Sequence, residues 1–372
     1  MAQWMEGKID VSAEKAGYDE KRIAVLADYY GNLIDAGKIR AAGFLMARNG
    51  GVFCHRAAGA HEYSDPSPAV KPDAIKRMAS ITKVFTAAAA MKLVEDGKLW
   101  LEQPVKTLIK EFDTPLHGNI TLWHLLTHTS GLPADGGYFL EPYPIDHYEF
   151  INKKDWIKRL LAGPMQAKPG SQWNYSTLGY SILGEVVARA AGMSVGDYIE
   201  QEIFKPLGMT RSFFTPPAEL IGEITTTEKW EKDDLSGAPG KRYYSLGGFG
   251  AFSTLSDLMR FAQCFLNGGT LDGNRILGRK TVETMTRNQL DGVPSFHWGK
   301  NCVNFRQGLG WAFYCDGPTV SPECFNHEGW GWCSLFVDPA EKFIFAAFTN
   351  THEDWNPAVM VNPRTIAFSG IL

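Results

Sequence analysis

The chain is expected to fold as an α+β protein, a helix-flanked antiparallel sheet with a mainly helical domain inserted into it. Three observations predict this. β-like runs lie toward both ends of the 372 residues, helix-like runs fill the middle, and the character changes back near residue 240. Two chain ends meeting in one sheet around a helical insertion is the simplest arrangement that buries both. The expected boundaries are 1–64 and 240–372 for the sheet domain and 65–239 for the helical domain.

From the N-terminus, Asp19 to Ala36 spaces Ile23, Leu26, Ala27, Tyr30, Leu33 and Ile34 as on one helix face, and Gly37 stops it. Gly43–Ala47 and Gly51–Ala58 read as strands joined by Asn49-Gly50, a hairpin signal. His61 to Ala74, with Pro66, Pro68 and Pro72, reads as loop. Ser80 to Asp96 is a helix, alanine-rich and apolar almost all round, so it belongs in a core. Thr121 caps a short helix running to about His128, before Gly131-Leu132-Pro133. Asn152–Leu161 and Ser176–Ala191 are further helices, the second closed by Gly192, and Met193–Phe204 continues helical up to Pro206. Gly247-Gly248-Phe249-Gly250 reads as flexible, and Thr254–Leu266 as a helix ended by Asn267-Gly268-Gly269. Three β-like runs close the chain: Leu309–Cys315, Trp332–Val337 and Phe343–Thr349, the last two joined by the turn Asp338-Pro339-Ala340-Glu341.

Composition narrows the function. With 44% hydrophobic and 21% charged residues the chain has no disordered character, and a net charge of -4 offers no footprint for nucleic acid. The longest nearly apolar stretch, Val84–Met91, is too short to span a bilayer, and Met1–Glu6 is no signal peptide. No membrane or nucleic-acid partner is expected, and the expected location is cytoplasmic. The six cysteines, Cys54, Cys264, Cys302, Cys315, Cys324 and Cys333, include no CxxC pair and read as reduced thiols. HExxH, GxSxG and Walker A patterns are absent. His124 and His128 stand four apart without an evident third ligand, so no metal is expected.

Chemistry concentrates in three places. In Ser80-Ile81-Thr82-Lys83 the lysine stands at i+3 on the face of the serine. A buried lysine near the positive end of a helix dipole loses its charge readily. A neutral Lys83 can take the Ser80 proton, and the oxygen can then attack an acyl carbon. Ser12-Ala13-Glu14-Lys15 has the same pattern but no buried helix behind it. Tyr175, in Trp173-Asn174-Tyr175-Ser176-Thr177, stands at a loop-to-helix junction, where a phenol can relay protons; a core tyrosine is the other reading. Asn326-His327-Glu328-Gly329-Trp330-Gly331 precedes a strand, and its glycines suit close approach by a ligand; a bulge with a surface histidine is the other reading.

These motifs, with Leu125-Leu126-Thr127-His128-Thr129-Ser130-Gly131-Leu132, Pro206-Leu207-Gly208-Met209 and Thr349-Asn350, resemble the class C β-lactamase and penicillin-binding-protein superfamily, with its esterases, D-aminopeptidases and transesterases. The likeness runs from about residue 20 to 350. It implies helices flanking the sheet at both its N- and C-terminal ends. It implies Ser80 as nucleophile, Lys83 as its base partner and Tyr175 as the leaving-group acid, with His327 in the catalytic set. It also implies the N–H groups of Ser80 and Trp330 as an oxyanion hole, and a structural role for His128. Two positions depart from the family pattern: Thr177 replaces an asparagine and His327 a lysine, and Lys280-Thr281-Val282 is no substitute for the lysine motif. The threonine puts efficient β-lactam turnover in doubt; losing the lysine weakens recognition of a substrate carboxylate, and a histidine there resembles the esterase and D-aminopeptidase branches.

Thr177, Glu328, Gly329, Trp330 and Trp332 are expected to contact substrate, Glu328 as an acidic group disfavouring anionic acyl groups or pairing an amine, and the two tryptophans as apolar walls. The expectation is a serine hydrolase of small esters or amides acting through acyl-Ser80 without a cofactor. The alternatives are a β-lactamase or D-amino-acid peptidase, an acyltransferase, and a non-catalytic binder on the same fold. Oligomeric state is not specified by the sequence.

Overall fold

The computed structural model describes residues 2–135, 154–236, 247–297, 300–302, 305–313, 319–351 and 356–372. Cys315 and the first residues of the helix expected from Asn152 lie outside them.

Both ends of the chain supply one antiparallel sheet. Strands β1 (Met5–Glu6), β2 (Ala41–Arg48) and β3 (Gly51–Gly59) come from the N-terminal part, and β4 (Phe325–Gly329), β5 (Cys333–Asp338) and β6 (Phe343–Thr349) from the C-terminal part. Their order across the sheet is β1-β3-β2-β6-β5-β4. The two halves join where β6 pairs with β2, Phe343 opposite Arg48 through Thr349 opposite Ala42. The hairpin at Asn49-Gly50 forms as expected, both residues taking positive φ (53° and 86°).

Alternation along the strands builds two cores, one on each face. Phe44, Met46, Phe336, Phe345 and Ala347 point to the face covered by helices α1 (Glu20–Asp35) and α6 (Pro357–Phe368). Leu45, Leu335, Val337, Ile344 and Ala346 point the other way, into a larger core with α2 (Thr82–Glu95), α4 (Thr177–Ala191) and α5 (Leu255–Leu266). The short α3 (Leu122–Leu126) packs beside α4. Side-chain caps start three of these helices: Thr121, as the sequence predicts, in a capping box with His124, and also Ser176 accepting the Gly179 N–H and Thr254 accepting the Asp257 N–H. The Met193 segment forms a helix over Val195–Ile199 that continues as a π turn to Phe204. Among the described residues no helix is long and apolar enough to cross a membrane.

Two expectations need correction. The run from Leu309 is not a strand over its described part; only Ala312 bridges, to Gln307 and Asn326. Gly310, at φ 87°, turns the chain so closely against α2 that a Cβ there would lie 2.4 Å from that of Ala87. The edge strand is instead Phe325–Gly329, whose single large apolar residue hid it from pattern reading. The second correction concerns Ser80. A single 3₁₀ turn over Ala79–Ile81 precedes α2, and Ser80 lies within that turn rather than at the first α-helical position.

Helix α2 is buried on nearly all sides, and Phe85 at its centre meets Phe204 and Phe261 edge-on at 5.0 and 4.8 Å. Phe85→Ala should therefore cost about 3–5 kcal/mol in stability. Urea unfolding measures this, and a loss below about 1 kcal/mol would contradict the packing described.

Candidate active site

The 3₁₀ turn that carries Ser80 is sewn in place from both sides. Met78 N–H donates to Ala251 O at 2.9 Å, and Ala251 N–H donates to Thr82 Oγ1 at 3.0 Å. Ala79 is held at φ 45°, a left-handed conformation costing an alanine on the order of 1–2 kcal/mol. The neighbouring packing maintains it, and the turn leaves Ser80 half-buried rather than sealed in the core.

One helical turn along, Lys83 has no solvent exposure. Its Nζ lies 2.9 Å from Ser80 Oγ, 3.0 Å from Thr177 Oγ1 and 2.9 Å from Gly248 O. Burial is the main cause lowering this amine from its ordinary 10.5 to about 7, and the Asp135 charge opposes the drop. The neutral amine has two N–H bonds and one lone pair. Thr177 Oγ1 and Gly248 O can accept the two hydrogens, which leaves the lone pair for the Ser80 hydroxyl.

Gly247 and Gly248 do not form the flexible segment expected. A Cβ on Gly247 would fall 2.7 Å from Tyr180 O, and one on Gly248 2.7 Å from Thr177 O. The pair is wedged between α2 and α4, where side chains do not fit, and its carbonyls serve Thr86 Oγ1 and Lys83 Nζ.

Residues 128–135 grip the segment that presents Tyr175. His128 O accepts from Asn174 N at 2.9 Å, His128 Nδ1 from Ser176 N at 3.1 Å, and Tyr175 O from Asp135 N at 2.9 Å. Since Nδ1 is an acceptor, neutral His128 carries its proton on Nε2. Burial keeps that imidazole well below its ordinary pKa. Its ring stacks on Tyr175 at 4.5 Å and 30°. The Tyr175 ring in turn lies 4.7 Å from Lys83 Nζ and 6.3 Å from the His327 ring. His128 thus shapes the site, while His124 is engaged through Nδ1 in the α3 cap.

Strand β4 closes the other side. His327, opposite Leu335, faces the α2 side and is buried. Its Nδ1 is 2.8 Å from Glu328 O, a carbonyl that only accepts, so the proton sits on Nδ1 and Nε2 presents a lone pair. Burial, helped by the nearby Lys83, lowers its pKa to about 3, so it stays neutral throughout the physiological range. Gly329 makes the close approach: a Cβ there would lie 2.2 Å from Met78 O and 3.3 Å from Ser80 N. Trp330 comes next in the chain, half-exposed, its indole stacked on Trp230 at 6.0 Å and 26°.

The structure therefore brings Ser80, Lys83, Tyr175, Thr177, His327 and Gly329 together, with Trp330 at the rim. It does not bring in two residues expected to touch substrate. Glu328 pairs with Ser334, so strand alternation turns its side chain to the terminal-helix face, opposite His327. Trp332, at φ 52°, packs on the α1–α6 core on that same face. Three participants were missed: Asp135, Trp230 and the Gly248 carbonyl. Asp135 lies just beyond the Leu125–Leu132 motif, which is the one signal that could have drawn attention to it. The five described cysteines are free thiols, and Cys333 pairs across the sheet with Gly329.

Residues 26–366 match the Beta-lactamase family model, and the chain belongs to that family of serine hydrolases. A protein of Escherichia coli K12 named "Putative D-alanyl-D-alanine carboxypeptidase" is 26% identical, with 91% of this chain and 84% of that protein aligned. A penicillin-binding protein homologue from Caulobacter crescentus superposes with a TM-score of 0.75 at 20% identity, covering 98% of this chain and 99% of its own. A family VIII carboxylesterase superposes at 0.74 and 19% identity, covering 98% and 100%. At these identities the solved structures share the fold.

The geometry sets two measurable outcomes. Below about pH 7 Lys83 is an ammonium and cannot take the Ser80 proton; above it the amine is neutral. Labelling of Ser80 by a fluorophosphonate should thus rise about tenfold per pH unit toward pH 7 and then level off. A rate that falls across that range would contradict the assignment of the base. Gly329→Ala should slow labelling on the order of 10²-fold, since its Cβ must displace the strand from the Ser80 amide. A wild-type labelling rate in that variant would show that the strand has room to spare.

Proposed function

We propose that this Beta-lactamase-family chain hydrolyses small, uncharged esters or amides through an acyl-Ser80 intermediate. The observation that carries the reading is a fully buried amine, lowered to about 7, with its Nζ 2.9 Å from a serine hydroxyl. Lys83 takes the proton as Ser80 Oγ bonds to the acyl carbon. The carbonyl π electrons move onto oxygen, where the N–H groups of Ser80 and Trp330 stabilise them, a contribution of roughly 2.7–4 kcal/mol per donor. Tyr175, whose ring lies beside Lys83 Nζ, passes a proton to the leaving oxygen or nitrogen as its bond to the acyl carbon breaks. Water then adds to the acyl-enzyme with the same groups acting in reverse, and Ser80 recovers its proton.

The preference for an uncharged acyl group rests on His327. Family relatives with lysine there present a fixed positive charge, whereas this imidazole is neutral and offers an acceptor at Nε2. Thr177, hydrogen-bonded to Lys83, stands where an asparagine amide would hold a β-lactam amide. The exposed Trp330–Trp230 stack at the rim supplies apolar surface for the acyl or alcohol part. A second reading, a peptidase for D-amino-acid substrates, is favoured by the name of the Escherichia coli relative. The neutral His327 weighs against it, because a terminal carboxylate would find an acceptor there.

A substrate panel separates these readings. p-Nitrophenyl butyrate should be cleaved at least about tenfold more efficiently than its succinate half-ester analogue, nitrocefin and a D-Ala-D-Ala peptide. Ser80→Ala should abolish both turnover and the fluorophosphonate mass adduct. Peptide cleavage outrunning ester cleavage would favour the peptidase, and ester turnover surviving Ser80→Ala would remove the mechanism altogether.

A further inference from the structure

We infer that Asp135 is a positioning residue for the general base, setting through the Thr177 hydroxyl the direction in which Lys83 presents its lone pair. The inference rests on the acyl-Ser80 reading and adds a residue to it. Both carboxylate oxygens of Asp135 are spent on one neighbour: Oδ1 accepts from Thr177 N at 2.7 Å and Oδ2 from Thr177 Oγ1 at 2.5 Å. A hydroxyl has one proton, and a carboxylate can only accept. The Thr177 proton is therefore committed to Asp135, and the oxygen turns a lone pair toward Lys83 Nζ, 3.0 Å away. That lone pair must be met by an N–H. With a second N–H on Gly248 O, the nitrogen's remaining position is its own lone pair, directed at Ser80.

The same residue ties the base to the proton relay, because Asp135 N–H holds the Tyr175 carbonyl at 2.9 Å. Its charge also acts on Lys83 directly, favouring the protonated amine. The other groups facing Lys83 carry no charge to compete with it. Tyr175 and Tyr180 present ring faces, and His128 and His327 are held neutral by burial. Replacing the carboxylate by an amide keeps the shape. It removes the charge and sets an NH₂ against one of two donors, so that one of the two bonds to Thr177 is lost.

The test is fluorophosphonate labelling of Ser80 and intact-mass readout between pH 5 and 9. It compares wild type, Asp135→Asn, Thr177→Val and the double variant, with Ser80→Ala as control. Asp135→Asn should label about 10–100-fold more slowly on the plateau, part of the 10²–10⁴ that a positioned base contributes. Its acid limb should also move down by about one pH unit, since loss of the carboxylate favours the neutral amine. Thr177→Val should lose a comparable factor, and adding Asp135→Asn to it should lower the plateau little further while still moving the limb. An Asp135→Asn limb unmoved from wild type, or plateau losses that simply multiply in the double variant, would overturn the inference. A wild-type plateau in Thr177→Val, which leaves Asp135 intact, would overturn it as well. Absence of a Ser80 adduct in the wild type would instead remove the acyl-Ser80 reading, so the two failures are distinct.

Discussion

Lys83 needs three oxygens, and water is not available to provide them. Keeping an amine fully buried costs it roughly 5 kcal/mol of preference for the charged form, as its drop from 10.5 to about 7 implies. That burial leaves the amine able to accept a proton, and it also makes every unmet hydrogen expensive. The surroundings answer both demands. Helix α2 lies in the core and keeps the site dry, the Gly247-Gly248 backbone comes near enough to lend a carbonyl, and α4 begins at the residue whose hydroxyl completes the set.

The scaffold around the amine is held by backbone groups, met both by other backbone and by the Thr82 and His128 side chains. Ala79 and His128 are both held in the left-handed region, at φ 45° and 58°. At each the chain must turn sharply, at Ala79 to present Ser80 and at His128 to form the cradle for Tyr175. Strain of this kind persists only where neighbours over-determine it. Here the neighbours are named bonds: Met78 and Thr82 to Ala251, and His128 to Asn174 and Ser176.

Much of this was legible in the sequence. The hairpin at Asn49-Gly50, the cap at Thr121 and the helices starting at Ser176 and Thr254 are local events, written in adjacent residues, and they form as read, as does the buried helix after Ser80 apart from its first turn. Proximity of Lys83 to Ser80 came from helical spacing alone. What failed was set by contacts at long range. Strand β4 has one large apolar residue because it is an edge strand backed by a helical turn, so its register was invisible. With a period of two, an unseen register leaves the facing of Glu328 unassigned. Trp332 went the same way at the adjoining hairpin. Asp135 could not be tied to Thr177 because the two are 42 residues apart and meet only through tertiary contact. Gly247 and Gly248 read as loose because glycine's freedom and glycine's smallness look identical on paper.

The pairing of β2 with β6 has a consequence for how a cell makes this protein. The central strand β2 is synthesised early and its neighbour some 295 residues later, the interval from Arg48 to Phe343. At ribosomal speeds of about 5–20 residues per second that gap lasts roughly 15 to 60 s. Throughout it the nascent hairpin displays a bare, apolar strand margin, the kind of surface that invites adhesion to other chains. Helices α2 to α5 can gather locally meanwhile, but the half-sheet waits for the C-terminal strands. Yield in a heterologous host should consequently depend on holdase chaperones more than on the strength of the finished fold.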